Sequence, residues 1–205
     1  MATRTNRTIS DFKTAMQGGG ARPNLFEVEM TLSGLGFDLP GFDATEFAFM
    51  CKAANIPAQT VASIDVPFRG RIFKVAGDRT IDTWTVTIIN DESFDLRGAF
   101  ETWTEQLAKL DNNLGTTDPN AYMASAMVYQ LGRGADPSSK SNAGTANALL
   151  QTYKFIDIFP TEVSAIDLSY DSSDTIEEFT VTFAVQSIER LGGAAVSGGS
   201  AATSG

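Results

Sequence analysis

Alternation of apolar and polar residues predicts that most of this chain folds into β-strands. The clearest pattern covers Asp82–Asn90, where Trp84, Val86 and Ile88 share one face and threonines occupy most of the other. The segment Thr175–Ile188 alternates in the same way. Further strands are predicted over Leu25–Leu32, Glu46–Ala53, Thr60–Phe68, Arg71–Ala76, Tyr122–Leu131 and Gln151–Phe159.

One long segment has helical spacing instead. Over Ser93–Leu110, large apolar residues recur every three or four positions and therefore line one side of a helix. These residues are Leu96, Phe100, Trp103, Leu107 and Leu110. The pattern predicts a helix whose apolar side packs on the core. A short helix is also predicted over Ser10–Gln17, because Ser10 can cap its start and three glycines follow it.

Polar and glycine-containing stretches separate these elements. Arg69–Arg71 is predicted as a turn, and Asp78 and Arg79 are expected in a second turn. Gly132–Ala148 is rich in small and polar residues and is predicted as a loop. Ser33–Thr45 carries too many apolar side chains for a free loop. We therefore expect it to pack on another surface, of this chain or of a neighbouring subunit.

Many alternating strands and one amphipathic helix are typical of a mainly β fold. We expect a two-layer antiparallel β-sandwich or barrel with the helix at its side. The chain has 205 residues, of which 42% are hydrophobic, enough for one domain with a substantial core. The predicted organisation is an N-terminal arm with a short helix over 1–20, the β domain over 21–191, and a Gly/Ala/Ser-rich tail over 192–205.

The formal net charge of −10 argues against a protein that grips nucleic acid, because phosphate contacts need clustered Lys and Arg. Two interpretations of the acidity remain open. It can simply keep the protein soluble. It can also form an acidic wall that repels phosphates, so that nucleic acid passes without adhering.

Residue types exclude several kinds of active site. The chain has no His and a single Cys, which excludes His-based nucleophile systems, His/Cys zinc clusters and an intrachain disulfide. Alternation places Cys51 with Phe47 and Phe49, so we expect a small buried hydrophobe rather than a reactive thiol. The adjacent acids Asp91–Glu92 and Glu177–Glu178 do not fit a glycosidase pair, because neighbouring strand residues point to opposite faces. We expect no enzyme activity, cofactor or metal.

The sequence carries no long apolar span and its first ten residues are polar, so we expect assembly in the cytoplasm of the cell that makes the protein.

Three segments resemble the tail tube proteins of T-even-type contractile-tailed bacteriophages. They are Ala21–Glu29, Cys51–Ala58 and Val75–Glu92, and the last is the longest and most specific. A weaker fourth similarity joins Phe159–Val163 to the strand around Phe179–Thr182. Order and spacing agree over roughly residues 15–190.

This resemblance implies a specific assembly. Such proteins form hexameric rings in which each subunit gives strands to a continuous inner β-barrel around a lumen. Rings stack into a hollow tube inside a contractile sheath, between a baseplate or initiator and a terminator, and DNA leaves the capsid through the lumen. The chain is accordingly expected in the virion. The haemolysin-coregulated protein of type VI secretion has the same tube fold.

The segments 33–45, 132–148 and the C-terminal tail are longer than the family pattern. Within the resemblance, some residues are expected at contacts between subunits and others in the lumen. The candidate interface residues are Arg22, Asn24, Asp78, Arg79, Phe37 and Phe42. The candidate lumen-facing acids are Asp174, Glu177 and Glu178, which lie beside a strand with a polar face. For Asp78 and Arg79 a local surface salt bridge stays an alternative.

Three other functions are weighed against the tail tube. An effector-loading tube of a type VI secretion system would have the same architecture, with a lumen that binds protein cargo. A carbohydrate-binding β-sandwich would need an exposed aromatic platform, whereas Trp84 and Trp103 both fall on apolar faces. An enzyme is the least favoured interpretation, because His is absent.

Overall fold

The computed structural model describes residues 8–15, 20–135 and 147–192. Its helices are α1 (Ile9–Ala15), α2 (Ala44–Met50), α3 (Asp95–Leu107) and α4 (Pro119–Tyr122). Its strands are β1 (Phe26–Thr31), β2 (Cys51–Ala54), β3 (Gln59–Phe68), β4 (Arg71–Ile81), β5 (Trp84–Ile89), β6 (Ala124–Ala135), β7 (Asn147–Val163) and β8 (Glu178–Gly192). The prediction of a mainly β fold with a long flanking helix is confirmed.

Six of the described strands form one sheet in the order β1–β6–β7–β8–β5–β2. Strand β5 is antiparallel to β2 on one side and to β8 on the other. The remaining two strands, β3 and β4, form a separate antiparallel hairpin. Within the described chain the sheet therefore ends at two edge strands, β1 and β2, whose outer backbone groups can pair with another chain.

By its contacts the chain divides into two compact units. The larger consists of residues 28–127 and 153–189, and the smaller of the described residues within 1–27, 128–152 and 190–205. In the smaller unit, the Gln130 side chain donates hydrogen bonds of 2.8 Å to the backbone oxygens of Arg22 and Leu25. The predicted domain boundaries at residues 20/21 and 191/192 stay a prediction, and 1–7 and 193–205 lie outside the described residues.

The core of the larger unit forms where α3 packs on the inner face of β5 and β8. Trp84 lies between Phe155 and Phe183, with ring centroids 4.9 and 5.1 Å away. Phe100 of α3 contacts Phe183 at 5.9 Å, and Trp103 is fully buried beside it. Each such side chain contributes about 1.5–3 kcal/mol on burial. The Trp103 indole N–H donates to the backbone oxygen of Tyr122 at 3.0 Å, so its polar group is satisfied.

The strand predicted over 46–53 is wrong in its first part, because residues 44–50 form α2. Asp43 caps this helix: its carboxylate accepts hydrogen bonds from the backbone N–H groups of Thr45 and Glu46 at 2.7 and 3.3 Å. Helical geometry separates the two phenylalanines that alternation placed on one face. Phe47 is fully buried, whereas Phe49 is 81% exposed.

Other boundaries also differ from the sequence-based expectations. Helix α3 ends at Leu107, so Leu110 lies beyond it and is fully exposed instead of extending the core side. Tyr122 ends α4 rather than starting a strand. The loop predicted over 132–148 is shorter, because β6 continues to Ala135 and β7 starts at Asn147. Residues 136–146 lie outside the described part of the chain.

Candidate assembly surfaces

The hairpin of β3 and β4 is exposed over almost its whole length. All ten residues of β3 are exposed, and in β4 only Gly77 and Ile81 are partly covered. Seven large apolar side chains on the hairpin are between 41% and 67% exposed: Val61, Ile64, Val66, Phe68, Ile72, Phe73 and Val75. An isolated two-stranded hairpin is at best marginally stable in water, so this surface needs a partner.

The strand register gives the hairpin two different faces. Ile64 pairs with Val75 and Val66 with Phe73, so these four side chains share one face. We call this set, together with Phe68, the apolar face of the hairpin. The opposite face carries Asp65 paired with Lys74, whose Nζ lies 3.7 Å from the carboxylate, and Ser63 paired with Ala76, but also the apolar pair of Pro67 and Ile72. The hairpin therefore has one face that is more continuously apolar than the other.

A tight turn fixes this register. Arg69 and Gly70 join the strands, and both have positive φ angles, 47° and 80°. Positive φ at both central residues identifies a type I′ turn, whose twist matches that of the flanking strands. The Arg69 guanidinium lies 5.4 Å from the centre of the Phe68 ring. The predicted turn at Arg69–Arg71 is confirmed.

Asp78 and Arg79 lie in β4 and not in a turn, which corrects the sequence-based expectation. The register shifts between Val61 and Ser63, which leaves Gly77 and Asp78 opposite a single residue and makes a β-bulge. The Arg79 guanidinium donates a hydrogen bond to the Gln59 side chain on the facing strand. In the described residues neither Asp78 nor Arg79 forms a salt bridge. Their role at a subunit interface stays a prediction.

The segment 33–45 packs on its own chain. The Phe42 ring lies 5.8 Å from Phe47 and 6.1 Å from Phe100, so it extends the core. The backbone N–H of Gly36 donates to the oxygen of Ala121 at 2.7 Å. The expectation that this segment packs on another surface is therefore confirmed within the chain.

Phe37 is only partly buried and lines a groove of about 300 Å³ together with Phe42. Arg22 and Asn24 are exposed near the start of β1. The backbone oxygen of Arg22 accepts hydrogen bonds from Leu25 and Gln130, which fixes this entry to the strand. Subunit contacts of these four candidates stay a prediction.

The second face of the sheet is lined by threonines in β5 and β8. Residues that alternate with the buried Trp84, Val86 and Ile88 point away from the core, and Thr87 pairs with Thr180 there. Their hydroxyl oxygens are 3.3 Å apart. This face is polar and uncharged over much of its area, so it can meet water without large desolvation costs.

Two of the three candidate lumen acids have partners within the chain. Glu178, the first residue of β8, forms an ion pair with Lys52 on β2. Glu177 accepts a hydrogen bond of 3.1 Å from the Asn90 side-chain amide. Asp174 lies in the exposed turn before β8. The structure thus brings Glu178 to the edge of the threonine-lined face, while exposure to a lumen stays a prediction for all three.

The described residues contain no group of three or more His, Cys, Asp or Glu side chains placed to hold a metal ion. Burial raises the pKa of the Cys51 thiol from its ordinary 9.0 to about 12, which keeps it protonated and unreactive at neutral pH. Among the described helices, none has the length and apolarity required to span a bilayer.

Comparison with known proteins identifies the family of the chain. A profile of the phage tail tube protein family matches residues 21–188. The chain is 36% identical over 178 residues to the tail tube protein gp19 of Enterobacteria phage T4, which covers 86% of this chain and 96% of that protein. The chain belongs to the phage tail tube protein family. A second member, tail tube protein gp19 of Enterobacteria phage T6, is 35% identical over the same length.

Solved structures of contractile injection systems share the fold of this tail tube family member. A chain of an extracellular contractile injection system sheath–tube complex aligns with a TM-score of 0.51 and 12% identity, covering 91% of this chain and 99% of that one. A chain of the anti-feeding prophage baseplate aligns with a TM-score of 0.56 and 12% identity, covering 84% and 96%. The resemblance of the chain to the tail tube family is confirmed, and the chain is a structural tail tube protein of the virion.

The sequence predicts both strands of the hairpin, but it does not indicate that their apolar side chains form an exposed surface. The available signal was the two-residue turn at Arg69–Gly70, which fixes Val66 opposite Phe73 and so gathers apolar residues on one face. That signal is weak without the structure, because the same apolar residues could equally have faced the domain core.

Proposed function

We propose that this chain forms hexameric rings that stack head to tail into the hollow tail tube inside a contractile sheath. The apolar face of the β3–β4 hairpin carries the proposal. Its five large side chains are between 41% and 67% exposed, and full burial of an exposed side chain of this kind contributes about 1.5–3 kcal/mol, so covering them on another subunit contributes part of that each. Exposed edge strands β1 and β2 add a second means of association, since pairing between subunits removes unpaired backbone groups.

The lumen of the tube is proposed as the conduit for DNA during ejection. Six copies carry a formal charge of −60, six times the chain's −10, so phosphates are repelled wherever part of that charge faces inward. The threonine-lined face of β5 and β8 suits the wall of such a channel, because it offers hydroxyls without a row of cations. Asp174, Glu177 and Glu178 are its proposed acids.

A scaffold role without catalysis or cofactor follows from this proposal. The partners are further copies of the chain, the sheath protein, a baseplate or initiator and a tail terminator, with DNA passing through without specific binding. Assembly takes place in the cytoplasm of the bacterial host. Solved structures with the same fold come from a sheath–tube complex, a baseplate and a terminating cap, which supports this set of partners.

Electron microscopy of purified protein at rising concentration tests the proposal. We expect six-fold rings and tubes, with a tube initiator supplied if spontaneous nucleation is slow. Particles that stay monomeric at every concentration, even with an initiator present, would contradict it. A ring of another copy number would overturn the hexamer but leave the tube standing.

A tube of a phage-derived injection machine is the second candidate, favoured by the fold shared with contractile injection systems. The two functions differ in what occupies the tube. Isolation of particles from the producing cells separates them, because a phage carries a DNA-filled capsid above the tail and an injection machine carries a cap and protein cargo.

A further inference from the structure

The loop between β7 and β8 is a second exposed surface, and its chemistry complements that of the hairpin. Residues 164–177 contain four acids and no basic residue, a charge of −4. Three large apolar side chains in it are exposed: Leu168 by 80%, Tyr170 by 108% and Ile176 by 71%. We call residues 164–177 the acidic loop. A surface that is both apolar and strongly charged is suited to a partner of opposite charge.

Both ends of the acidic loop are tied to the sheet, so its exposed middle is held outward. The backbone N–H of Ser164 donates to the oxygen of Thr180 at 2.8 Å, and the N–H of Asn90 donates to the oxygen of Glu177 at 2.9 Å. The middle of the loop contains a turn, in which the backbone N–H of Ser172 donates to the backbone oxygen of Ser169. Leu168, Ser169 and Tyr170 line an open groove of about 350 Å³ there. The loop therefore offers an open recess lined by Leu168, Ser169 and Tyr170, within a segment whose charge is −4.

The hairpin has the opposite charge. Between Gln59 and Ile81 the chain carries four basic and two acidic side chains, a net charge of +2 within a protein of −10. Arg69 and Arg71 flank the glycine of the turn, beside the exposed Phe68. The tip of the hairpin is thus basic and apolar, as the acidic loop is acidic and apolar.

We propose that the hairpin tip of one copy docks on the acidic loop of the next copy. The inference rests on the proposed function, and it names the two surfaces that meet in the tube. Both surfaces are exposed in the described chain, so each is free to meet its complement on a second copy. When each copy gives its hairpin to one neighbour and its acidic loop to another, the contact is head-to-tail and propagates into rings or stacks, whereas a reciprocal exchange between two copies would end at a dimer. Phe68 enters the recess at Leu168 and Tyr170, while Arg69 and Arg71 meet Asp171 and Asp174.

Site-directed cross-linking in assembled protein tests this contact. In a Cys51→Ala background, Ile72→Cys in the hairpin and Ser172→Cys in the acidic loop are joined with a short bis-maleimide, and the products are separated on a denaturing gel. We expect a ladder of covalent oligomers. The matched control pairs Ile72→Cys with Glu105→Cys, on the exposed side of α3, and should stay monomeric.

The outcomes separate the two proposals. Two results would overturn the hairpin–loop contact and leave the tube function intact. In the first, tubes form but the variant with Ile72→Cys and Ser172→Cys gives no ladder. In the second, tubes form and the control variant gives an equal ladder. A wild-type protein that forms no tube would overturn both.

Charge reversal gives an independent test. Asp171→Lys with Asp174→Lys should raise the concentration needed for assembly about tenfold, the effect of about 1.4 kcal/mol in contact free energy. Adding Arg69→Glu and Arg71→Glu should recover most of the loss, because opposite charges again face each other. If the variant with all four substitutions assembled no better than the variant with Asp171→Lys and Asp174→Lys alone, the pairing would be contradicted. Circular dichroism of each variant checks that the sheet is folded.

Discussion

Lys52 on β2 and Glu178 at the start of β8 form an ion pair that reaches across the intervening strand β5, with Nζ 2.5 Å from Oε1. The two residues are 126 positions apart, so the sheet order alone brings them together. Their side chains are 54% and 35% exposed. The pair thus compensates one proposed lumen acid inside each subunit, while water still reaches both charges.

This pair should stabilise the subunit little, because exposed ion pairs contribute at most about 1 kcal/mol. We expect a double-mutant cycle of Lys52→Met and Glu178→Gln, followed by urea unfolding, to give a coupling free energy below that limit. The coupling should shrink further at high salt. A coupling free energy well above about 1 kcal/mol that does not change with salt would mean that the ion pair is desolvated.

Two phenylalanines should separate folding from assembly. Phe100 is fully buried in the core, and Phe73 is 67% exposed on the apolar face of the hairpin. We expect Phe100→Ala to lower the free energy of unfolding by about 3–5 kcal/mol. We expect Phe73→Ala to change it by less than about 0.5 kcal/mol but to suppress tube formation. Urea unfolding of the subunit and microscopy of the assembled sample are the two measurements.

The opposite result would refute the assignment of the apolar face. If Phe73→Ala formed tubes as readily as the wild type, the hairpin would not carry the interface. Phe49→Ala serves as a matched control, because Phe49 is also exposed, by 81%, but belongs to α2 and not to the hairpin. It should leave both stability and assembly close to those of the wild type.

Much of the fold could be predicted because the pattern there is long and regular. The alternation of Trp84, Val86 and Ile88 survives in β5 because one face packs on α3 and the other is polar. The side formed by Leu96, Phe100 and Trp103 is buried for the same reason. Where one strong period governs a segment, local sequence and tertiary packing agree.

Short segments were harder to predict, because a local hydrogen bond decides them. Residues 44–50 alternate like a strand, yet the carboxylate of Asp43 satisfies the first backbone N–H groups and starts a helix. Gly77 indicated a turn, whereas a bulge accommodates it within β4. The candidate interface residues Asp78 and Arg79 lie on the hairpin that we propose as an interface, and the apolar face was not among the candidates. Which side of an exposed strand meets a partner is not encoded locally.

The hairpin turn should respond to its backbone geometry. At Gly70 a Cβ would have open space, but its φ of 80° is strained for any other residue. We expect Gly70→Ala to destabilise the hairpin by about 1 kcal/mol. Arg69→Asn should stabilise the hairpin by a few tenths of a kcal/mol, since Asn tolerates positive φ. Hydrogen exchange at the amides of β3 and β4 measures both effects, and equal exchange rates in the two variants would contradict a type I′ turn.

Cys51 should resist modification in the folded subunit and react once the protein unfolds. Its thiol pKa is raised from 9.0 to about 12 by burial, so the reactive thiolate is scarce at pH 8 in the fold and more abundant in the unfolded chain. We expect iodoacetamide labelling at pH 8 to be slow in buffer and fast in urea. Because the folded pKa is the higher one, the stability linked to this group is full below pH 9 and is lost as the pH rises towards 12. In Cys51→Ala, the free energy of unfolding should fall less steeply between pH 9 and pH 12. If it fell as steeply as in the wild type, other groups would cause the loss of stability.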